Sequence, residues 1–430
     1  MADGSRARYT PFLALGGPHR LLVDEATGPG PAYLMFFDLH GALANTEAIR
    51  QSRLREAKPP ASGSVEADLD GPTGFLIEFE AMRLVEDHTP QNSPDQARVL
   101  AHETLALMSA HGYTTAHMMN GRLGELDLIR ELDERGELPV GLEVCWDLTP
   151  ELDPADALEA IALLGDRGGH WRMSGVKFWL DGVIDSGSAW CCHADHHGGN
   201  SRPLWMPPER YRELAIAYAA AGFRVATHAI GDAAITYALE TYQQCDRSAR
   251  HRIEHLELTN DRNLELLAQH DNVATSVQPP AMAFVSALRD DTWSDRVSTD
   301  QWERAWALRD ILGTGTHMVM GTDWPVLPLD PRLAFYWAAE RRPLHSGPEM
   351  VIGRANQALT TREVLAGFTS EAAWAVGRDD AGSIAPGMSA DIALWDRDLT
   401  TIDPVDTLTT ECIVTIAQGR ITHDRLGAVG

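Results

Sequence analysis

Positive charge is scarce in this sequence: 36 Lys and Arg stand against 62 Asp and Glu, a formal net charge of −26. So acidic a surface repels phosphate backbones and anionic headgroups, which excludes nucleic acid and an acidic membrane as partners. Cysteine is scarce too. The 5 present (Cys145, Cys191, Cys192, Cys245, Cys412) show neither metal-knuckle nor thioredoxin spacing. An odd, scattered set in a long chain suits a reducing compartment rather than a disulfide framework. The charged start, Met1 to Thr10, leads into no apolar segment, so no secretory leader is legible. No window approaches the apolar length of a membrane span, and there is no internal repeat or low-complexity tract. A soluble, cytoplasmic protein is expected. What is present is ordinary globular composition, 44% hydrophobic and 23% charged over 430 residues, enough for one barrel with an appendage or for two domains.

The chain is organised around Arg224 to Leu258. Two short apolar runs there, Arg224 to Ala229 and His251 to Leu256, carry His228 and His255 at their ends, and the residues between have helical composition. Strand, helix, strand, with a functional side chain closing each strand, is the pattern of a parallel βα unit. Upstream, Ala32–Phe37 and Gly74–Phe79 read as strands, with a helix from Asn45, so residues 32–90 form a small mixed subdomain. Helices are expected over 93–111, 122–136, 154–165 and 208–221. Strands are expected at Gly112–Met118, Leu138–Trp146, Gly175–Gly182, Asn272–Gln278 and His317–Pro325. Residues 184–207 form a loop dense in Gly, Ser, His and Trp, long enough to suggest function. Residues 280–312 hold a loop and a helix, and Thr360–Val376 is helical. The alternating runs Ala390–Trp395 and Ile413–Thr422 form a small β appendage. Seven strands alternate with helices, where a closed barrel needs eight.

The strand ends carry the chemistry. Two neutral imidazoles side by side suit a divalent metal; alternatively each is a satisfied histidine under a loop. Lys177 stands between Val176 and Phe178. Burial lowers a lysine pKa, and a neutral amine can take up carbon dioxide as a carbamate. The competing reading is a buried salt bridge to Asp181 or Asp323. Asp323, between Thr322 and Trp324-Pro325, projects from a strand end or caps the following helix. Trp179, Trp190, Trp205 and Trp324 line an apolar mouth or are core. Glu254 and Asp232 orient the histidines or serve as caps and surface pairs, with Asp232 well placed as an N-cap.

The motifs GVKFWLDG (175–182), ATHAIGD (226–232), RIEHLEL (252–258), SVQPP (276–280), GTDWPV (321–326) and GSIAPGMSADIALWD (382–396), in this order, resemble the amidohydrolase superfamily. The resemblance is more specifically to amidohydrolase family 3, the group of the N-substituted formamide deformylases, and it runs from about His19 to Arg420. It implies an α/β fold: a TIM-like (β/α)8 metal-dependent hydrolase barrel over 93–378, an N-terminal segment with a mixed insertion over 1–92, and part of a small β-sandwich over 379–430. It implies hydrolysis of a non-peptide C–N bond (amide, N-formyl or N-acyl) in a small-molecule substrate, with one or two divalent metals, commonly zinc. A homodimer is left open. Carried over by position, Lys177 becomes a carbamylated ligand, His228 and His255 hold the more exposed metal, and Asp323 is both ligand and proton acceptor for the attacking water. Asp38-Leu39-His40 with Asn45 matches a segment near the substrate or is a structural turn, and Trp179, Gln278 and Trp324 are further substrate-side candidates. One element is missing. The family's first barrel strand ends in His-x-His, and no two histidines in this chain are two residues apart. The cluster His193, His196, His197 lies in the long loop, where a solvated or substrate-lining role outweighs metal binding. The expectation is therefore a barrel incomplete at its N-terminus, from a short reading frame or a natural truncation, with the buried metal site impaired. The alternative is a catalytically impaired or inactive scaffold or binding protein.

Overall fold

The computed structural model describes residues 7–152 and 160–427. Its first sheet is antiparallel, in the order β1 (Tyr33–Met35), β2 (Gly41–Ala44), β4 (Gly71–Ile77), β3 (Ser64–Asp68). Strand β3 escapes the sequence pattern because Ser-Val-Glu-Ala-Asp has little apolar content to alternate, and it lies half-exposed at the sheet edge. The β3–β4 turn is closed by the Asp68 carboxylate, which accepts from Asp70 N at 2.8 Å, and by Gly71 at φ +106°, a conformation that favours glycine. The strand expected over Gly74–Phe79 ends two residues early. Glu78 adopts φ +69°, and Phe79–Glu86 is a helix. Asn45 caps the helix Thr46–Gln51, as expected.

The middle of the chain forms one parallel sheet. Its strands lie in chain order: β5 (Thr115–Gly121), β6 (Gly141–Leu148), β7 (Trp171–Trp179), β8 (Arg224–Ala229), β9 (His251–His255), β10 (Val273–Val277) and β11 (His317–Met320). Helices such as Leu123–Glu134, Glu209–Ala220, Asp232–Tyr242 and Asp261–Leu267 return the chain between strands. The strands are apolar on both faces because helices cover one side and the sheet curls round the other; Val144, Val176, Phe178, Val225, Ile253 and Val277 are all buried in one continuous core. Each such side chain contributes about 1.5–3 kcal/mol. The sheet is an incomplete TIM barrel: among the described residues, β5 and β11 pair with nothing on their outer edges.

Most helix expectations hold, with displacements where tertiary contacts outweigh pattern. The helix expected over 154–165 falls largely outside the described residues, and its described end, Ala160–Leu163, is a 3₁₀ turn. The stretch 279–313 is a 3₁₀ turn followed by three short helices. The tail helix breaks at Thr369 into Thr361–Phe368 and Ser370–Ala375. The last strands are β12 (Ile392–Trp395), β13 (Cys412–Ala417) and β14 (Arg420–Asp424), antiparallel in that order. The run 413–422 is thus a hairpin, split where Gln418 and Gly419 both take positive φ (48° and 79°), the conformation of a tight two-residue turn. This sheet is tied to the helix Pro94–Ala110 through Thr415 Oγ1, which donates to Ser109 O at 2.7 Å, and through Ser109 Oγ and Thr422 Oγ1 at 2.7 Å.

Candidate functional site

The carboxyl ends of β7, β8, β9 and β11 open on one cavity of about 680 Å³. Lys177, His228, His255 and Asp323 all line it, with His40, Trp179, Gln278 and Trp324. Sheet register explains the convergence. Trp179 stands beside His228 and Ala229 beside His255, so neighbouring strands deliver these residues at nearly the same height.

The two imidazoles are in contact, ring centroids 4.4 Å apart. His228 is buried, and its Nε2 donates to Gly182 O at 3.1 Å. A carbonyl can only accept, so Nδ1 carries the lone pair, and it has no partner. For His255 the relay is longer. Gln278 Nε2 donates to Ser276 Oγ at 3.3 Å, which turns Oε1 toward His255 Nδ1 at 2.9 Å. His255 Nε2 is left buried without a partner. Burial, then the neighbouring imidazoles and Lys177, hold the His228 pKa well below its ordinary value. Burial and Lys177 lower that of His255 to about 3. Both rings are neutral, each with one free lone pair and the opposite nitrogen anchored to a carbonyl oxygen. That is the arrangement in which imidazole ligates a metal.

Lys177 is 2% exposed. Burial lowers its pKa against the pull of Glu254, Asp323 and Asp147. Its Nζ lies 3.8 Å from the centroid of the Trp179 ring, which Asp147 fixes by accepting from Nε1 at 2.7 Å. Asp181 is not its ion-pair partner: that carboxyl accepts from the backbone of Trp190, Ile230 and Gly231, and burial raises its pKa to about 7. Asp323 follows β11 at φ +51°. It caps no helix, since Pro331 occupies the cap of Arg332–Glu340, and its charge reaches Lys177 and His40. His228, His255 and Asp323 do not bring one ligand atom each within 4.8 Å of one another as a trio. Among the described residues, the only three His, Cys, Asp or Glu ligand atoms within 4.8 Å of one another belong to the exposed His196, His197 and Asp295.

His40 joins the site from the turn before β2, its ring 4.9 Å from that of His228. Burial lowers its pKa, but Glu78, whose Oε2 accepts from Nδ1 at 2.9 Å, and Asp38 outweigh that and raise it. Glu78 gave no sequence signal; its left-handed backbone holds it between His40 and Ser188. Asn45, expected near substrate, is 0% exposed and its amide is fully engaged. It accepts from Ala32 N and Ala48 N and donates to Gly30 O and Thr27 Oγ1, so it is a structural cap. Trp324 and Trp179 line the cavity, whereas Trp205 is core and Trp190 packs on Tyr237. Asp232 is not an N-cap, because Gly231 is. Its carboxylate instead accepts from Cys192 N and Asn260 Nδ2, pinning the 184–207 loop. Glu254 pairs with Arg252 rather than with a histidine.

A sequence model of the amidohydrolase family matches residues 11–423. The N-substituted formamide deformylase of Arthrobacter pascens is 25% identical over 96% of this chain and 77% of its own length. Protein LONG AFTER FAR-RED 3 of Arabidopsis thaliana is 26% identical over 88% of this chain and 68% of its own. Among solved structures, an uncharacterized metal-dependent hydrolase from Pyrococcus horikoshii superposes with a TM-score of 0.70 at 23% identity, covering 90% of this chain and 75% of that one. No helix among the described residues is long and apolar enough to cross a membrane.

Proposed function

The chain belongs to the amidohydrolase family, hydrolases of carbon–nitrogen bonds, and from that premise we propose that it cleaves an amide, N-formyl or N-acyl bond with the help of a divalent metal, zinc first among candidates. The observation that carries this is the pair of unpartnered imidazole nitrogens, His228 Nδ1 and His255 Nε2. Orphaned buried acceptors on adjacent rings are costly unless something binds them. These two atoms would hold the ion. Lys177, whose pKa burial lowers, would join them after its neutral form reacts with carbon dioxide, its nitrogen forming the new N–C bond and releasing a proton. When bound, a divalent metal acts as a Lewis acid on a carbonyl and makes water nucleophilic near neutral pH.

The chain's own residues supply the rest. Asp323 would take the proton of the attacking water and return it to the departing nitrogen, so that the water oxygen ends on the carbonyl carbon as the C–N bond breaks. Trp179, Trp324 and Gln278 would pack and orient the substrate, and the buried floor excludes bulk water. The deformylase relative makes N-formyl amines the first substrates to try. Metal analysis after zinc loading tests the ligand set: His228→Ala and His255→Ala are each expected to lose the ion by at least about tenfold in affinity. Unchanged zinc in either variant removes that histidine. A second reading, a relative that keeps the scaffold without turnover, is favoured because His228, His255 and Asp323 do not gather as a trio of ligand atoms within 4.8 Å of one another. Full zinc occupancy with no cleavage across a panel of N-formyl and N-acyl amines would decide for it.

A further inference from the structure

Three carboxylic acids line the same cavity, and among the described residues none of them forms an ion pair with a lysine or arginine. The cation-forming side chain that bears on them is His40, whose charge acts on Asp38 and Glu257. Asp38 sits in the turn after β1, Asp185 in the loop that leaves β7, and Glu257 two residues past β9. Of the nearby arginines, Arg122 pairs with Asp147 at 2.8 Å, Arg252 with Glu254 at 2.9 Å and Arg296 with Asp195 at 2.7 Å, while Arg8 lies over the Phe284 ring, 5.0 Å from its centroid. What the three acids accept comes from uncharged donors. Tyr9 Oη and His40 N donate to Asp38 Oδ1 (3.2 and 3.0 Å), Thr292 Oγ1 to Asp185 Oδ1 (2.6 Å) and Trp293 Nε1 to Glu257 Oε2 (2.9 Å). Asp38 is 7% exposed, and its Oδ2 is buried with no partner. Burial, and after it the neighbouring Asp38 and Glu257, push Asp185 up to about 8. A carboxylate cluster so desolvated calls for a positive guest.

Spacing narrows the guest. These three do not bring their oxygens within 4.8 Å of one another as a group, too wide a frame for a single metal ion's coordination sphere. Phe37, Phe284 and Trp293 line the cavity beside them, with the Arg8 guanidinium already over Phe284, and aromatic faces favour organic cations. The wall adjoins the hydrolytic centre, since Asp38 is two residues from His40 and Glu257 two residues from His255. We propose that Asp38, Asp185 and Glu257 bind a protonated amine, so that the substrate is an amide whose far end carries an ammonium group, such as a mono-N-acylated alkanediamine. The word substrate rests on the hydrolase reading above; the binding of the ammonium does not. Hydrolysis would join the water oxygen to the carbonyl carbon, break the C–N bond and place the proton on the leaving nitrogen, giving a carboxylate and a free diamine.

Calorimetry with a linear alkanediamine as probe, against the uncharged diol of equal length, reads the wall without turnover. The diamine is expected to bind at least about tenfold more tightly. Asp185→Asn and Glu257→Gln, two variants in case one fails to fold, should each weaken the diamine about fivefold or more, whereas Glu134→Gln, which removes an exposed charge, should not. Equal binding of diamine and diol, or diamine binding unmoved in every folded wall variant, overturns the proposal. In the kinetic arm, zinc-loaded protein is given an N-formyl diamine and an N-formyl alkylamine of the same length. A kcat/KM preference of about tenfold for the charged amide supports the proposal. Equal cleavage of both overturns it and leaves the hydrolase reading standing. Carboxylate-dependent diamine binding in a protein that cleaves neither amide supports the wall and removes the hydrolase reading instead.

Discussion

Only two lysines occur in the whole sequence, Lys58 in a Pro-flanked loop and Lys177 in β7. All other side-chain cations are arginines, whose guanidinium stays protonated in proteins. A buried position whose chemistry needs a neutral amine can be filled by lysine and not by arginine, so the rarity of the residue is itself informative. Lys177, His228, His255 and Asp323 could be read from the chain because each interrupts or closes an apolar run. Their partners could not. Gly182 O anchors His228 through its backbone, and Gln278 anchors His255 from the next strand over. For Asn45 the sequence leaves a structural turn and a substrate-side role open, and its four hydrogen bonds select the structural one. Gln278→Leu keeps the bulk of the side chain and deletes the acceptor that fixes the His255 tautomer. Its zinc affinity is expected to fall roughly ten- to hundredfold, read by competition with a chelating dye. Unaltered affinity would mean that the ring needs no such anchor.

At the scale of elements, strands and helices with strong periodicity were legible, and their ends were not. Glu78 ends β4 because its carboxylate is drawn to His40 and Ser188, contacts made across the fold. The β13–β14 hairpin was hidden inside one alternating run because alternation survives a two-residue turn. Two glycines separate backbone demand from packing. Gly419 holds φ +79° and a Cβ there would touch nothing, while Gly124 sits in the helix Leu123–Glu134 at ordinary φ with equally open space. Gly419→Ala should therefore destabilise by about 1 kcal/mol through backbone strain alone. Gly124→Ala should stabilise by about 0.4–1 kcal/mol by reducing the freedom of the unfolded chain. Urea titrations of the two variants check both signs, and a shift in the same direction for both contradicts the argument.

For the molecule as a whole, the alternation of strand and helix was enough to anticipate a parallel sheet. It did not disclose the wall of acids, because Asp38, Asp185 and Glu257 are far apart in the chain; Asp38 could be read as substrate-side or as a turn, and Asp185 and Glu257 each alone resemble a turn or surface residue. That wall acts on global stability in a way that can be measured. Asp185 is pushed up to about 8, by burial first and then by its neighbours, from an ordinary value of 3.8. The folded protein thus keeps a proton that the unfolded chain gives up. Between about pH 4 and about pH 8 the native state binds more protons than the unfolded one, so stability falls as pH rises, and the full penalty is present above the folded pKa. Asp185→Asn cannot ionise and escapes this contribution, and it also relieves the mutual repulsion with Asp38 and Glu257, which acts in the same direction. On passing from about pH 5 to about pH 8.5 the variant should gain on the parent by on the order of 1 kcal/mol, measured as the difference in unfolding free energy from urea titrations at the two pH values. Added alkanediamine should restore the parent at the higher pH, since a cation that binds only the folded wall stabilises it by mass action, and should do less for the variant. A parent that instead gains on the variant with rising pH would show that Asp185 is ionised and already compensated in the folded protein.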